Sequence, residues 1–269
     1  MALIDMEIYS QVLRMYTQIR VILPTVTSVL DPEDEKCYNP SYKYQTLYLL
    51  HGMAGNYGVW SRFTNIEQYA QKYKLAVVMT SAQNSCYRNM EYGEAYLTFF
   101  TEELPKIVEG IFPLSKKKEN KFVAGNSMGG YGAFQIGLEK PLQYQCICSL
   151  SGCLNILWDD NNSKKNSKAM MDRETVFGED GTYDPKEHDI LVKMQELLRE
   201  GIPLPNIYQC CGTDDFLYAM NMEYHEKFLD ENVEHTFVTS EGTHDWAYWN
   251  TAIAATLEWL PLKGSLVEE

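Results

Sequence analysis

Three side chains able to do chemistry follow one another as serine, aspartate and histidine. Ser127 sits in Gly125-Asn126-Ser127-Met128-Gly129, a G-x-S-x-G pentapeptide. The apolar run KFVAG precedes it and the helical pattern MGGYGAFQIGL follows, so the serine falls at a strand-to-helix joint. A serine hydroxyl is a weak nucleophile and needs a base that is oriented by a carboxylate. Asp214 and Asp215 follow the apolar run NIYQCC, and His244 follows HTFVTS in the loop EGTHDW. On a parallel sheet all of them hang from the C-terminal edge, where open α/β sheets assemble their sites. The residues leave the acid open between Asp214 and Asp215. His51, directly after LYLL, competes with His244 by position but precedes the serine; the order serine, acid, histidine favours His244. His188 begins a helix, and His225 and His235 read as surface residues.

The glycines around Ser127 have a physical reason. A nucleophile on a sharp turn brings backbones so close that a Cβ at 125 or 129 would clash. The serine also opens a helix, whose free N–H groups favour developing negative charge. Acyl transfer needs two N–H donors at the oxyanion, one after the nucleophile and one from the loop after an early strand. Met128 and Met53 are the candidates, with Gly52 and Gly55 letting the second loop approach closely.

The elements that must hold these residues alternate between short β-branched runs and longer helical patterns, the mark of a mostly parallel sheet covered by helices. Strands are predicted over 17–24, 44–52, 75–81, 120–126, 144–152, 206–212 and 234–242. Helices are predicted over 94–112, 128–139, 187–201, 221–231 and 246–260, with Pro105 bending the first or marking a helix start. Trp60 reads as core. Residues 155–187 have a polar centre without clear periodicity and form a candidate lid. Trp158, the sole tryptophan in that insertion, needs cover either from the core or, as a substrate-binding residue, from a bound acyl group.

At 269 residues and 45% hydrophobic, the chain suffices for one α/β domain spanning 1–269. A net charge of −14 argues against a nucleic-acid partner. There is no apolar run of about 18 residues and the start MALIDMEIYSQVLR lacks signal-peptide character, so no membrane association and a cytoplasmic location are expected. Seven cysteines, odd in number and mostly within apolar strands, read as reduced thiols. Cys146-x-Cys148 and Cys210-Cys211 lack zinc-site spacing, and no metal or cofactor is expected.

The chain resembles the esterase D-like branch of the α/β-hydrolases, which includes S-formylglutathione hydrolases, tributyrin esterases, and feruloyl and acetyl xylan esterases. The resemblance runs over roughly residues 8 to 260 through HGMAGNYGVW, NSCYRNMEYGEAYLTFFTEELPKIVEGIFPLS, GNSMGGYGAF, CGTDDFLY and GTHDW, in family order. It implies an α/β-hydrolase fold with Ser127 as nucleophile, Asp215 as acid, with Asp214 the alternative, and His244 as base. It further implies a serine carboxylesterase acting on short acyl or hydroxycinnamoyl esters without a cofactor; a homo-oligomer is compatible with it. Asn126 and Tyr131 look like the tributyrin and feruloyl esterases, whereas Cys86 stands where relatives often carry an aromatic residue. The rival readings are an S-formylglutathione hydrolase, an acyltransferase and a catalytically silent binding protein on the same fold.

Overall fold

The computed structural model describes residues 1–26, 36–156, 172–178 and 188–269. Its strands are β1 (Ala2–Ser10), β2 (Met15–Leu23), β3 (Tyr42–Lys43), β4 (Gln45–Leu50), β5 (Leu75–Thr80), β6 (Lys121–Asn126), β7 (Cys146–Leu150), β8 (Asn206–Gly212), β9 (His235–Ser240) and β10 (Val267–Glu268). Eight of them form a sheet in the order β1-β2-β5-β4-β6-β7-β8-β9, and β3 pairs separately with β10. From β5 to β9 every pairing is parallel, while β1 and β2 form an antiparallel hairpin on the β5 side.

Period-two alternation decides which face each strand residue serves. In β4, Tyr48 and Leu50 join one apolar cluster and Leu47 and Leu49 the other. One face is covered by α1 (Val59–Phe63), α2 (Ile66–Tyr73) and a C-terminal helix, Trp246–Trp259, through Trp60, Ile66, Ala70, Ile253 and Leu257. The other is covered by α3 (Tyr96–Thr98), α4 (Leu104–Ile111), α5 (Met128–Glu139), α6 (Arg173–Phe177), α7 (Ile190–Arg199) and α8 (Tyr218–Asp230), which makes the C-terminal helix α9. α5 is buried from Met128 to Leu138, as expected of a helix apolar on all sides.

The seven predicted strands and five predicted helices are present, with ends that differ by a few residues. Three further strands escape the sequence reading: the short pair β3 and β10, and β1 of the large sheet. β1 alternates half-buried Ala2, Ile4, Met6 and Ile8 with exposed Leu3, Asp5, Glu7 and Tyr9. Leu3 and Tyr9 on the outer face blur that pattern. The helix predicted over 94–112 is divided: a π-helical turn, Phe99–Glu103, separates α3 from α4, and Pro105 lies in the first turn of α4. Proline has no N–H to donate, and the wider turn before it accommodates the ring.

Chain order across the sheet creates the crevice for a site. The chain leaves β4, adds β5 on one side, then crosses over to add β6 on the other side of β4. The loops after β4 and β6 therefore diverge from neighbouring strand ends, which is the switch point where open α/β sheets bind ligands.

Candidate active site

Ser127 ends β6 with φ 54° and ψ −119° and serves as the N-cap position of α5. A non-glycine residue held there costs about 1–3 kcal/mol and persists only if its surroundings fix it. Four backbone bonds do so: Ser127 N–H donates to Leu150 O at 3.0 Å, and its carbonyl accepts from Gly130 N–H at 2.9 Å, Cys153 N–H at 3.1 Å and Tyr131 N–H at 3.3 Å. A Cβ at Gly129 would meet His51 O and Leu50 O at 2.7 Å, and one at Gly125 would lie 2.8 Å from Leu50 Cβ and nearer still to the Gly129 carbonyl. The turn therefore requires glycine at both positions.

His244, in the loop between β9 and α9, bridges two other residues. Its Nε2 lies 2.9 Å from Ser127 Oγ, and its Nδ1 lies 2.8 and 3.0 Å from the two Asp215 oxygens. Asp215 Oδ1 also accepts the Leu217 N–H at 2.8 Å. Burial would raise the Asp215 pKa, but hydrogen bonds from His244 and Leu217 outweigh it and hold the carboxyl below the ordinary aspartate value. Asp214 is exposed; its N–H donates to Gly242 O at 3.0 Å and its carboxylate is 3.5 Å from Thr213 Oγ1. Of the two aspartates, Asp215 is the one brought to the histidine.

The loop after β4 lies against this joint. A Cβ on Gly52 would lie 3.3 Å from Ser127 Cβ, and one on Gly55 would lie 2.9 Å from Gly52 O. Ala54 N–H donates to Asn84 Oδ1 at 2.8 Å and Gly55 N–H to Gly52 O at 3.0 Å, and Met53 lies between Gly52 and Ala54 in this loop. Met128 N–H opens α5, where no carbonyl four residues back is available to it. His51 is 1% exposed: its Nδ1–H donates to Gly52 O at 2.7 Å and its Nε2 accepts Ala82 N–H at 2.9 Å. It braces the loop rather than reaching the serine.

Trp158 lies outside the described residues, as does most of the candidate lid. Trp60 is core, with its Nε1–H donating to Leu50 O at 2.8 Å. His225 and His235 are not the surface residues expected of them: both are half-buried, with His225 Nδ1 2.7 Å from His235 Nε2. Each packs against an aromatic ring, Phe237 and Phe228 respectively, which shields part of it from water. Cys86 is buried at 2% exposure, and burial pushes its thiol up to about 12. Two aromatic residues at His244 escape the sequence reading: Phe216, whose ring centroid is 4.5 Å away, and Trp249, at 4.9 Å. Phe216 directly follows the acid and forms part of no periodic pattern, whereas Trp249 belongs to the buried stripe of α9 with Ile253 and Leu257, so its spacing reads as core alone.

A sequence profile of the Esterase family matches residues 25–260. The chain belongs to that family. It is 34% identical over 266 residues to an acetyl esterase of Caldicellulosiruptor saccharolyticus, covering 97% of this chain and 98% of that protein. Among solved structures, this esterase is similar to the substrate-bound fluorophosphonate-binding serine hydrolase F of Staphylococcus aureus, with 31% identity, a TM-score of 0.83 and coverage of 96% and 98%. It is also similar to the S-formylglutathione hydrolase FrmB of the same organism, with 31% identity, a TM-score of 0.80 and the same coverage. The protein is a serine carboxylesterase with the α/β-hydrolase fold. No helix among its described residues is long and apolar enough to cross a membrane.

Proposed function

We propose that this esterase hydrolyses short-chain acyl or hydroxycinnamoyl esters through an acyl-enzyme on Ser127. The observation that carries the reading is the His244 imidazole, 2.9 Å from Ser127 Oγ on one side and 2.8 Å from Asp215 on the other. Ser127 Oγ attacks the ester carbonyl while His244 Nε2 takes its proton. The C–O bond to the alcohol then breaks and the same proton goes to the departing oxygen. Water, deprotonated by His244, releases the acid and restores Ser127. Asp215 holds the imidazole in the tautomer that makes this possible. The N–H groups of Met53 and Met128 receive the oxyanion, aided by the N-terminus of α5. The enzyme works as one α/β-hydrolase domain in the cytoplasm and needs no metal.

The similarity to acetyl esterase supports a small acyl group, and the similarity to FrmB supports S-formylglutathione as the second reading. Activity on p-nitrophenyl acetate, methyl ferulate and S-formylglutathione separates them. Wild-type protein should take up one fluorophosphonate group at Ser127 and lose hydrolysis, and Ser127→Ala should take up none. Labelling of Ser127→Ala, or a variant retaining a tenth of wild-type turnover, would remove Ser127 from the nucleophile role. Loss of activity with EDTA that added metal restores would overturn the metal-free mechanism.

A further inference from the structure

The large sheet ends in two edge strands that are built differently. β1 carries Asp5 and Glu7 in its middle, whereas β9 has no Lys, Arg, Asp, Glu or Pro from His235 to Ser240. Charges and prolines are what keep an open edge from pairing with a further strand. Among the described residues no strand pairs with the outer edge of β9, and Val238, Thr239 and Ser240 are exposed. The uncharged strip is wider than the strand itself. On one face His225 packs against Phe237 with ring centroids 4.8 Å apart, and Met222, His225 and Leu229 form one row of α8, so that row borders β9, with Leu229 56% exposed. On the other face Trp259 Nε1–H donates to Thr236 Oγ1 at 3.0 Å, and the small, exposed Thr251 and Ala255 continue that row along α9. In a chain of net charge −14, an open edge flanked on both faces by uncharged side chains has the make-up of a contact core.

The backbone decides how a second β9 can add to this edge. Thr213 N–H donates to Ser240 O at 2.9 Å and Asp214 N–H to Gly242 O at 3.0 Å. The even-numbered residues therefore turn their backbone groups toward β8, and His235, Phe237, Thr239 and Glu241 turn theirs outward. Directly opposed residues of an antiparallel pair are alike in this respect, so a two-fold pairing must set some residue opposite its own copy. Centred on Thr239 it sets Glu241 opposite Phe237, and centred on Phe237 it sets Glu241 opposite Val233, which is 6% exposed; both leave a carboxylate against an apolar side chain. Centred on Val238 it sets valine against valine, Thr236 against Ser240 and Glu241 against the His235 imidazole, and no acid opposes another acid. The strand fits a copy of itself in one register, which singles out a second copy of this chain as the occupant.

We propose that β9 is the interface of a two-fold homodimer, in which two copies pair antiparallel with Val238 opposite Val238 and join their sheets into one. Sedimentation velocity at micromolar concentration should give twice the mass of the chain. Val238→Lys sets two ammonium groups face to face and should give a monomer with the wild-type circular dichroism spectrum. Val238→Cys tests the register. Residues opposed in a non-hydrogen-bonded pair stand about 4.5 Å apart at Cα, within the span of a disulfide, so diamide should link two copies of this variant, while Thr239→Cys should link no more than wild type does. A monomeric wild type would overturn the proposal. So would a dimer that persists in folded Val238→Lys, or a dimeric protein in which Val238→Cys does not link. Should Val238→Lys fail to fold, the Val238→Cys link decides alone.

Discussion

His51 Nε2 accepts the Ala82 N–H at 2.9 Å, so one buried imidazole ties the loop after β4 to the loop after β5. Its other nitrogen donates to Gly52 O, and the Tyr87 hydroxyl donates to the His51 carbonyl at 2.8 Å. The histidine that competed for a catalytic role holds the backbone on which Met53 sits.

That placement gives stability a pH signature. Burial lowers the His51 pKa, partly offset by the bond to Gly52. The unfolded imidazole titrates near about 6.5, so the unfolded chain binds the proton first as pH falls. The contribution of His51 is complete above about 6.5 and is lost as pH drops toward its folded value. Urea unfolding of wild type should weaken through that window, with His51 responsible for up to about 1.4 kcal/mol per pH unit. His51→Asn should be less stable at pH 7.5 yet show a shallower slope below 6.5. Equal slopes for the two proteins would show that His51 is not the group titrating.

The two neighbouring aspartates should behave oppositely. Asp215→Asn presents an amide to Nδ1 of His244 and selects the wrong tautomer, a change that lowers kcat by about 10⁴ in the serine-protease template. Asp214→Asn should stay within about two-fold, because its exposed carboxylate faces Thr213 rather than the imidazole. Steady-state kinetics on p-nitrophenyl acetate decide between them. A greater loss at position 214 would reverse the assignment.

Gly125 and Gly110 offer a paired test of the turn. Alanine at 125 drives its Cβ into backbone at Gly129 and against Leu50, so a large fall in melting temperature or loss of soluble protein is expected. Gly110, near the end of α4, would place a Cβ with nothing within 4 Å, and alanine there should stabilise by about 0.5–1 kcal/mol. Circular dichroism melts of the two variants measure both. A Gly125→Ala protein melting at the wild-type temperature would mean the joint is looser than its contacts imply.

Thiol reactivity should follow burial. Cys86, Cys146 and Cys210 are pushed up to about 12 by burial. Burial also pushes Cys153 up to about 11, so a disulfide reagent at pH 8 should modify the half-buried Cys37 ahead of the other six, and all seven after denaturation. Rapid modification of Cys86 in the native protein would contradict its packing.

The strands, and the chain order of serine, aspartate and histidine that the hydrogen bonds at His244 bring together, were legible because each depends on short, local signals. KFVAG before Ser127 and HTFVTS before His244 announce strands, and the order of the three residues reflects the order of strands across the sheet. The choice between Asp214 and Asp215 was not legible, since adjacent residues in a turn differ only in direction, and direction comes from the bonds at Gly212 and Leu217. The role of His51 was hidden for a related reason. Its partners, Gly52 O and Ala82 N–H, are backbone groups, one of them 31 positions away, and backbone groups leave no trace in side-chain types.

β1 closes the sheet on one side with its backbone edge facing outward. The longest register in which a second β1 could add antiparallel to it is centred on Met6, and that register sets Asp5 opposite Glu7 of the incoming strand, twice over. Like charges directly opposed across strands are destabilising. Asp5 is already satisfied by Arg20 at 2.6 Å and Glu7 by Gln18 at 2.9 Å within the hairpin, so neither gains by turning outward. The acidic residues of the first strand thus act as a guard against edge-to-edge aggregation of the folded protein.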